Sequence, residues 1–201
     1  MAEPNQWALM TRQRPEHSTW YVQRFRDMAA AGADLVGEAR LIDALVPRRA
    51  RVLDAGCGSG RHGGYLAEAG HQVVGVDGDP ELIAAAEQDH PGPTWLVGDL
   101  AELDLPARGI TEGFDAILCA GNVAAFLAPS TRREVFTRMA RHLRPEGRAA
   151  IGFGAGRGYE FDDFLADAAA GGLVPGLLLS TWDLRPYQQD SDFLVAILER
   201  S

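Results

Sequence analysis

A chain of 201 residues with 46% hydrophobic residues is long enough for a single sizeable core. Its formal net charge of −9 disfavours a broad nucleic-acid surface, which needs a basic patch. No apolar run reaches the length of a membrane span, the start M-A-E-P-N-Q is not a signal peptide, and Cys57 and Cys119 are too few for a disulfide framework or a zinc site, so the sequence reads as a cytoplasmic protein with no metal.

Residues 1–15 lack periodicity and read as a flexible tail. From 16 to 47 the spacing is helical, with Trp20, Tyr21, Phe25 and Met28, then Leu35, Ala39, Ile42 and Leu45. Gly32 and Gly37 divide the stretch into two helices, and Pro47 ends the second. Arginines are frequent here, but interleaved acids make a solvated helix face the better reading. Arg51-Val52-Leu53 forms a short strand with Asp54 at its tip. Gly56, Gly58 and Gly60 then allow a sharp turn, and Arg61 to Ala69 has helical spacing. Gln72 to Val76 is a second strand, closed by Asp77. Asp79 and Pro80 are suited to the cap and first turn of the next helix, which Pro91-Gly92-Pro93 breaks. Thr94 to Val97 is a third strand, followed by Gly98-Asp99-Leu100. Phe114 to Leu118 is a fourth, running into Cys119-Ala120-Gly121-Asn122. A helix over 131–143 carries Val135, Met139 and Leu143 at four-residue steps. Arg148 to Phe153 is the fifth strand, and the glycine-rich 154–158 follows it. A helix over 161–170 ends at Gly171-Gly172. Two last strands, 173–181 and 193–199, are joined by a polar loop holding Arg185 and Tyr187.

Strands alternating with helices predict one α/β domain over 16–201, a three-layer sandwich around a mostly parallel sheet. Ligands in such a sheet lie outside the carboxyl ends of the strands, near the point where strand order reverses. Asp54, Asp77, Asp99 and Asn122 all fall at such ends. Gly58, Gly60 and Gly63 also spell the dinucleotide fingerprint G-x-G-x-x-G. A pyrophosphate favours a helix amino terminus without a carboxylate beside it. Asp54 at the entrance instead suits a ligand with positive charge, an ammonium or a sulfonium. S-adenosylmethionine carries both.

The segment Asp54-Ala55-Gly56-Cys57-Gly58-Ser59-Gly60 resembles the glycine motif of the class I S-adenosylmethionine-dependent methyltransferases. Four further landmarks follow in that family's order: Asp77 closing the second strand, Asp99 after the third, Phe114-Asp115 opening the fourth, and Leu143-Arg144-Pro145-Glu146-Gly147 before the fifth. Glu146 departs from the family's usual glycine. The resemblance implies a Rossmann-like sheet of seven strands with one antiparallel strand near its edge. It implies S-adenosylmethionine as cofactor and S-adenosylhomocysteine as product. Asp77 would take the ribose hydroxyls, with Gly78 beside it. Asp99 would take the adenine amino group, and the Leu100 N–H a ring nitrogen. Ala55, Gly56, Gly58 and Gly60 would let the backbone approach the ligand. Asp54 would orient the turn and the amino group, and Ala120 would lie near the methionine portion. The 16–47 helices would form part of a lid, with Trp20, Tyr21 and Arg26 as candidates to cover the methionine end.

Plainer alternatives stand beside these roles. Asp77 could cap the Asp79-Pro80 turn, Asp99 could be a turn residue, and Tyr21 could belong to an apolar helix stripe. Cys57 reads as a packing residue. Asn122 is the best substrate-side candidate, because Gly121-Asn122-Val123 resembles the Gly-Asn-Ser segment of glycine and small-amine N-methyltransferases. Val123 replaces the Ser, and a turn-capping Asn is the alternative. His62 could be a base, or a surface or helix-terminus histidine. Arg185 and Tyr187 could meet a substrate anion or face solvent. The resulting expectation is in-line methyl transfer to a small-molecule acceptor, by a monomer or homodimer with no nucleic-acid or membrane partner. A non-catalytic S-adenosylmethionine-binding module and a dinucleotide-dependent oxidoreductase are the competing readings.

Overall fold

A computed structural model describes residues 3–201. Three helices open the chain: α1 (Gln6–Gln13), α2 (His17–Ala30) and α3 (Gly37–Leu45). Then come β1 (Arg51–Ala55), α4 (Arg61–Glu68), β2 (Gln72–Asp77), α5 (Pro80–Asp89), β3 (Thr94–Val97) and β4 (Phe114–Cys119). The rest is α6 (Val123–Phe126), α7 (Arg132–His142), β5 (Leu143–Gly154), α8 (Phe161–Ala170), β6 (Leu173–Leu179) and β7 (Phe193–Arg200). The seven strands make one sheet in the order β3-β2-β1-β4-β5-β7-β6. β7 pairs antiparallel with both its neighbours, so it alone runs against the others. The order reverses between β1 and β4, and that is where a ligand crevice belongs.

Strand side chains alternate between two buried faces. Val52, Val73, Leu118 and Ala150 pack with Ala39 and Ile42 of α3 and Leu66 of α4. Leu53, Ile117, Ala149 and Ile151 pack with Phe136 and Met139 of α7 and Phe164 of α8. Gly75, in the middle of β2, is required by its neighbour: a Cβ there would lie 2.2 Å from the Trp95 ring of β3. Trp95 is buried and donates its indole N–H to the His90 carbonyl at 3.0 Å.

The structure corrects three expectations about local form. Residues 6–13, read as tail, are helix, with Asn5 accepting the Ala8 N–H as its cap. Gly37 begins α3 rather than interrupting a helix, while Gly32, at φ +76°, lies just beyond Ala31, the cap of α2, so the two helices expected over 16–47 are present. β5 starts five residues early, at Leu143, because its first part still pairs with β4 across a register shift. Asp115 explains the Phe-Asp landmark structurally. It accepts the Arg51 N–H at 2.7 Å and pairs with Arg144 at 2.6 Å, tying together the starts of β1, β4 and β5. Two clefts, of about 430 and 510 Å³, open at that same amino edge of the sheet, near Asp115 and near Gln72. The acids singled out from the sequence gather at the opposite edge. Among the described residues, no helix is long and apolar enough to cross a membrane.

Candidate active site

The glycine turn leaves β1 and doubles back under tight backbone control. The Gly56 and Cys57 N–H groups both donate to the Val76 carbonyl of β2, at 2.8 and 3.1 Å. Gly56, Gly58 and Gly60 have φ of +79°, +54° and +84°, a region that strains any residue with a Cβ. Their surroundings differ. A Cβ on Gly56 would fall 2.6 Å from Val123, the first residue of α6. A Cβ on Gly60 or Gly63 would strike the Trp95 ring, at 3.0 and 2.7 Å. A Cβ on Gly58 would meet only the Tyr21 ring, at 3.4 Å from its hydroxyl. Cys57 is buried with Ile83, Ala86 and Trp95, and burial, helped by Asp54 and Asp77, holds its thiol well above the usual range. It is a packing residue.

Three acids surround the turn. Asp54 is 1% exposed and accepts the Gly63 N–H at 3.0 Å, bracing the start of α4. Burial raises its carboxyl, against the opposing pull of His62, Arg61 and that N–H. Asp77 accepts the Gly58 N–H at 2.9 Å with one oxygen and the Asp79 N–H at 2.9 Å with the other. Burial lifts its carboxyl to about 6, although both N–H groups resist the rise. So Asp77 does brace the turn before α5, while its remaining lone pairs stay available, since a carboxylate offers about four acceptor positions. Asp99 accepts the Ala101 N–H at 2.8 Å with Oδ1, the turn role set against a ligand role in the sequence.

The amino-terminal helices lie against this edge. Tyr21 faces the glycine turn, and burial raises its phenol, with Asp77 and Asp54 adding to the rise and Arg61 opposing it. Its ring meets Phe25 and, edge-on, Trp7 of α1. The other lid candidates point elsewhere. Trp20 is 51% exposed and stacks on His17 under the Arg24 guanidinium. Arg26 pairs with Asp89 at 2.8 Å on the outer face of α5. Helical spacing put all three in one stretch; the 100° step between residues turns only Tyr21 inward.

His62 is neither surface nor open to solvent. It is 5% exposed, and its Nε2 stands 3.4 Å from a Glu38 oxygen, at the long end of hydrogen-bond reach. Burial would raise the Glu38 carboxyl, but His62 and then Arg61 outweigh it and bring it down to about 2. Arg61 also reaches the Leu35 carbonyl and lies over the Phe25 ring at 5.0 Å. Glu38 and Arg61 were not singled out in the sequence; an arginine directly after the glycine turn was the available signal.

At the end of β4, Ala120 is buried and Asn122 sits at φ +68°. The Asn122 side chain does not cap α6. Its Oδ1 accepts the Gly154 N–H at 2.8 Å, joining the ends of β4 and β5. A Cβ on Gly154 would also lie 3.4 Å from the Arg157 guanidinium, a neighbour that sequence spacing could not reveal. Tyr187 is half-buried, its ring edge-on to Phe161 at 6.0 Å. Arg185 is exposed and faces Asp183 at 3.7 Å, so it reads as a solvent-facing loop residue. Among the described residues no group of three or more His, Cys, Asp or Glu could hold a metal ion.

A family model described as a methyltransferase domain matches residues 52–147, from β1 to the first part of β5. The crystal structure of a TehB-like SAM-dependent methyltransferase from Corynebacterium glutamicum is 51% identical, with a TM-score of 0.88, over 94% of this chain and 100% of that one. The chain belongs to the class I S-adenosylmethionine-dependent methyltransferases. This membership favours a methyl donor over a dinucleotide at the glycine turn. Curated relatives include the malonyl-[acyl-carrier protein] O-methyltransferase of Pectobacterium atrosepticum, 32% identical over 54% of this chain and 41% of that protein. Another is the dTDP-3-amino-3,6-dideoxy-alpha-D-glucopyranose N,N-dimethyltransferase of Streptomyces fradiae, 30% identical over 60% of this chain and 47% of that protein. The matched part spans less than half the length of these curated methyltransferases.

Proposed function

We propose that this methyltransferase moves a methyl group from S-adenosylmethionine to a small-molecule acceptor, leaving S-adenosylhomocysteine. The observation that carries the reading is the convergence of Asp54, Asp77, Asp99 and Asn122 beside a glycine turn faced by Tyr21. The backbone around that edge fits the cofactor. A Cβ on Gly78 would meet nothing nearer than the Gly98 carbonyl at 4.0 Å, and a Cβ on Gly121 nothing within 4 Å. Both glycines are exposed, so main chain is open where a ligand would lie.

The roles follow from the donors and acceptors in place. Asp77, with Gly78 beside it, holds the ribose hydroxyls through the lone pairs its two backbone bonds leave over. Asp99 keeps Oδ2 for the adenine amino group, and the Leu100 N–H meets the ring. Ala55, Gly56, Gly58 and Gly60 let main chain come close. Asp54 acts through the turn it braces, and Ala120 and Tyr21 wall the methionine end. When bound, the cofactor supplies an activated methyl for in-line displacement. The protein's part is to fix approach and exclude water. Asn122 spends its carbonyl on Gly154 and retains its NH2 group to orient an acceptor. His62, packed against Glu38, is not exposed to take an acceptor proton. A neutral amine, which sheds its proton to solvent, suits such a site better than a phenol or carbon acid.

Names of relatives support the small-acceptor class: an amino sugar in Streptomyces fradiae, glycine and sarcosine in Aphanothece halophytica, trans-aconitate in an Azoarcus species. The acidic balance supports a cytoplasmic enzyme acting without nucleic acid or membrane, as one domain with its amino-terminal helices. Calorimetry with S-adenosylhomocysteine and NAD, followed by methyl transfer from labelled S-adenosylmethionine to small amines, amino sugars and carboxylates, tests the proposal. Binding of the adenosyl compound with labelled product is expected. Binding without transfer to any of these would favour the non-catalytic module, and binding of NAD alone would refute the cofactor.

A further inference from the structure

Residues 3 to 13 join two banks of the carboxyl edge of the sheet, where the cofactor is proposed to bind. At one bank, the Ser130 hydroxyl, in the turn Pro129–Thr131 that follows α6, donates to the Glu3 carboxylate. At the other, the Trp7 indole N–H donates to Asp79 Oδ2 at 2.8 Å, at the amino end of α5. The first bank continues from β4 and the second from β2. β1 and its glycine turn lie between those strands. The segment therefore passes over the edge where the cofactor is proposed to bind.

Asp79 is the centre of the second attachment. It is 8% exposed. Oδ2 accepts from both Trp7 and the Ser18 hydroxyl of α2, while Oδ1 caps α5 through the Glu81 N–H at 2.9 Å. Its own N–H donates to Asp77 Oδ1 at 2.9 Å. One residue thus holds α1, α2 and α5 and touches the acid at the end of β2. By contrast α1 has no buried residue. Its share in the core is the half-buried Trp7 alone, resting on Val22, Leu82 and Ala85, and an element held by one such side chain and a few polar contacts opens at lower cost than the sheet. Its opening withdraws Trp7 from the Tyr21 ring, which it meets edge-on at 5.3 Å, and Tyr21 is the side chain over Gly58.

We infer that residues 3–13 are a strap over the cofactor cleft, latched by Trp7 on Asp79, and that release of this latch sets the rate of cofactor exchange. The inference rests on the cofactor site proposed above. Asp79 is a positioning residue: it acts through the strap and through Asp77, not on the reacting atoms.

The test compares wild type with Trp7→Phe, which keeps an aromatic ring on Val22 and Leu82 while removing the donor and one ring, and with Asp79→Asn, which keeps the whole indole and the carbonyl that caps α5. Hydrogen exchange reads protection of residues 6–13, and stopped-flow displacement reads S-adenosylhomocysteine dissociation. Trp7→Phe is expected to lose protection in 6–13 but not in β1 or β2, and to speed dissociation about tenfold, the loss of one hydrogen bond to a charged group. Asp79→Asn, which also alters the Ser18 contact, is expected to be at least as fast, and adding Trp7→Phe to it to bring no further acceleration, because the Trp7 contact is already gone. Dissociation that stays at the wild-type rate in Trp7→Phe, or effects that add in the double variant, would overturn the latch while leaving the cofactor site standing. Failure of S-adenosylhomocysteine to bind wild type would overturn the proposed function and the gating with it.

Discussion

Asp77→Asn separates two jobs that the wild-type carboxylate performs at once. Burial holds this carboxyl at about 6, roughly two units above an ordinary aspartate, so its ionised form costs the fold on the order of 3 kcal/mol at neutral pH. That figure is already net of the two backbone N–H groups, which hold the carboxyl below where burial alone would put it. Asparagine relieves the charge and keeps one acceptor for the Asp79 N–H. It turns an NH2 toward the Gly58 N–H, a loss of about 1–3 kcal/mol. The two changes nearly cancel, and the melting temperature is expected to stay within about 4 °C of wild type at pH 7. Binding has no such compensation. Two ribose hydroxyls lose a charged acceptor worth about 1.5–3 kcal/mol each, so affinity for S-adenosylhomocysteine is expected to fall at least about 100-fold.

The pH dependence carries the sign. A carboxyl raised in the folded state favours folding most below its unfolded value, near 4, and that contribution is lost as pH rises to about 6. Ribose binding needs the ionised form, so wild-type affinity is expected to be level above about pH 7 and to weaken below 6, by up to about tenfold per unit. Asp77→Asn removes both trends. Calorimetric titration and melting curves from pH 5 to 8 measure them. Affinity in the variant within threefold of wild type would refute the assignment of Asp77 to the ribose.

Gly75→Ala puts a methyl 2.2 Å from the Trp95 ring and is expected to lower the melting temperature by about 5–10 °C, with partial recovery when Trp95→Leu is added. Gly56→Ala adds a methyl 2.6 Å from Val123 at φ +79°, so α6 must shift; labelled methyl transfer should fall more steeply than stability. Glu38→Gln removes a carboxylate that His62 and Arg61 hold at about 2 against burial. Its stabilisation is present above the unfolded value near 4.5 and is lost as pH falls toward 2, so the difference in denaturation midpoint between wild type and variant should shrink over that interval.

Much of the fold was legible because parallel strands buried on both faces read as short apolar runs, and Asp54, Asp77 and Asp99 mark where three of them end or turn. β7, buried over most of its length, was legible from its own apolar run, and β6 also reads as an apolar run although it is a largely exposed edge strand paired antiparallel to β7. α1 was not. It is short and buries no residue fully, and its position is set by Trp7, which rests on Val22, Leu82 and Ala85 and bonds Asp79 across 72 residues of sequence. His62 stands at a helix terminus, as one of its readings had it, but buried rather than at the surface. Its neighbour Glu38 lies on α3, and nothing local to Arg61-His62 announces that neighbour. Asn122 shows a third limit: its type suited either a turn cap or a ligand, while its carbonyl went to the main chain of β5.

The fingerprint Gly58, Gly60, Gly63 shows why one motif could support two cofactors. Its three glycines are small for different reasons. Gly60 and Gly63 clear the Trp95 ring, so they serve the packing of β3 and would be needed whatever ligand bound. A Cβ on Gly58 would instead meet only the Tyr21 ring. The pattern therefore reports a helix packed closely on a strand, a requirement that dinucleotide and methyl-donor sites share. The discriminating information lies outside it, in the buried Asp54 that precedes the turn and in Asp77, whose carboxylate takes the Gly58 N–H that a phosphate would otherwise claim. A substitution at Gly63 should therefore change stability in proportion to its clash with Trp95 and leave the affinity of the folded fraction for S-adenosylhomocysteine unchanged. A loss of affinity out of proportion to stability would show that the third glycine approaches the ligand after all.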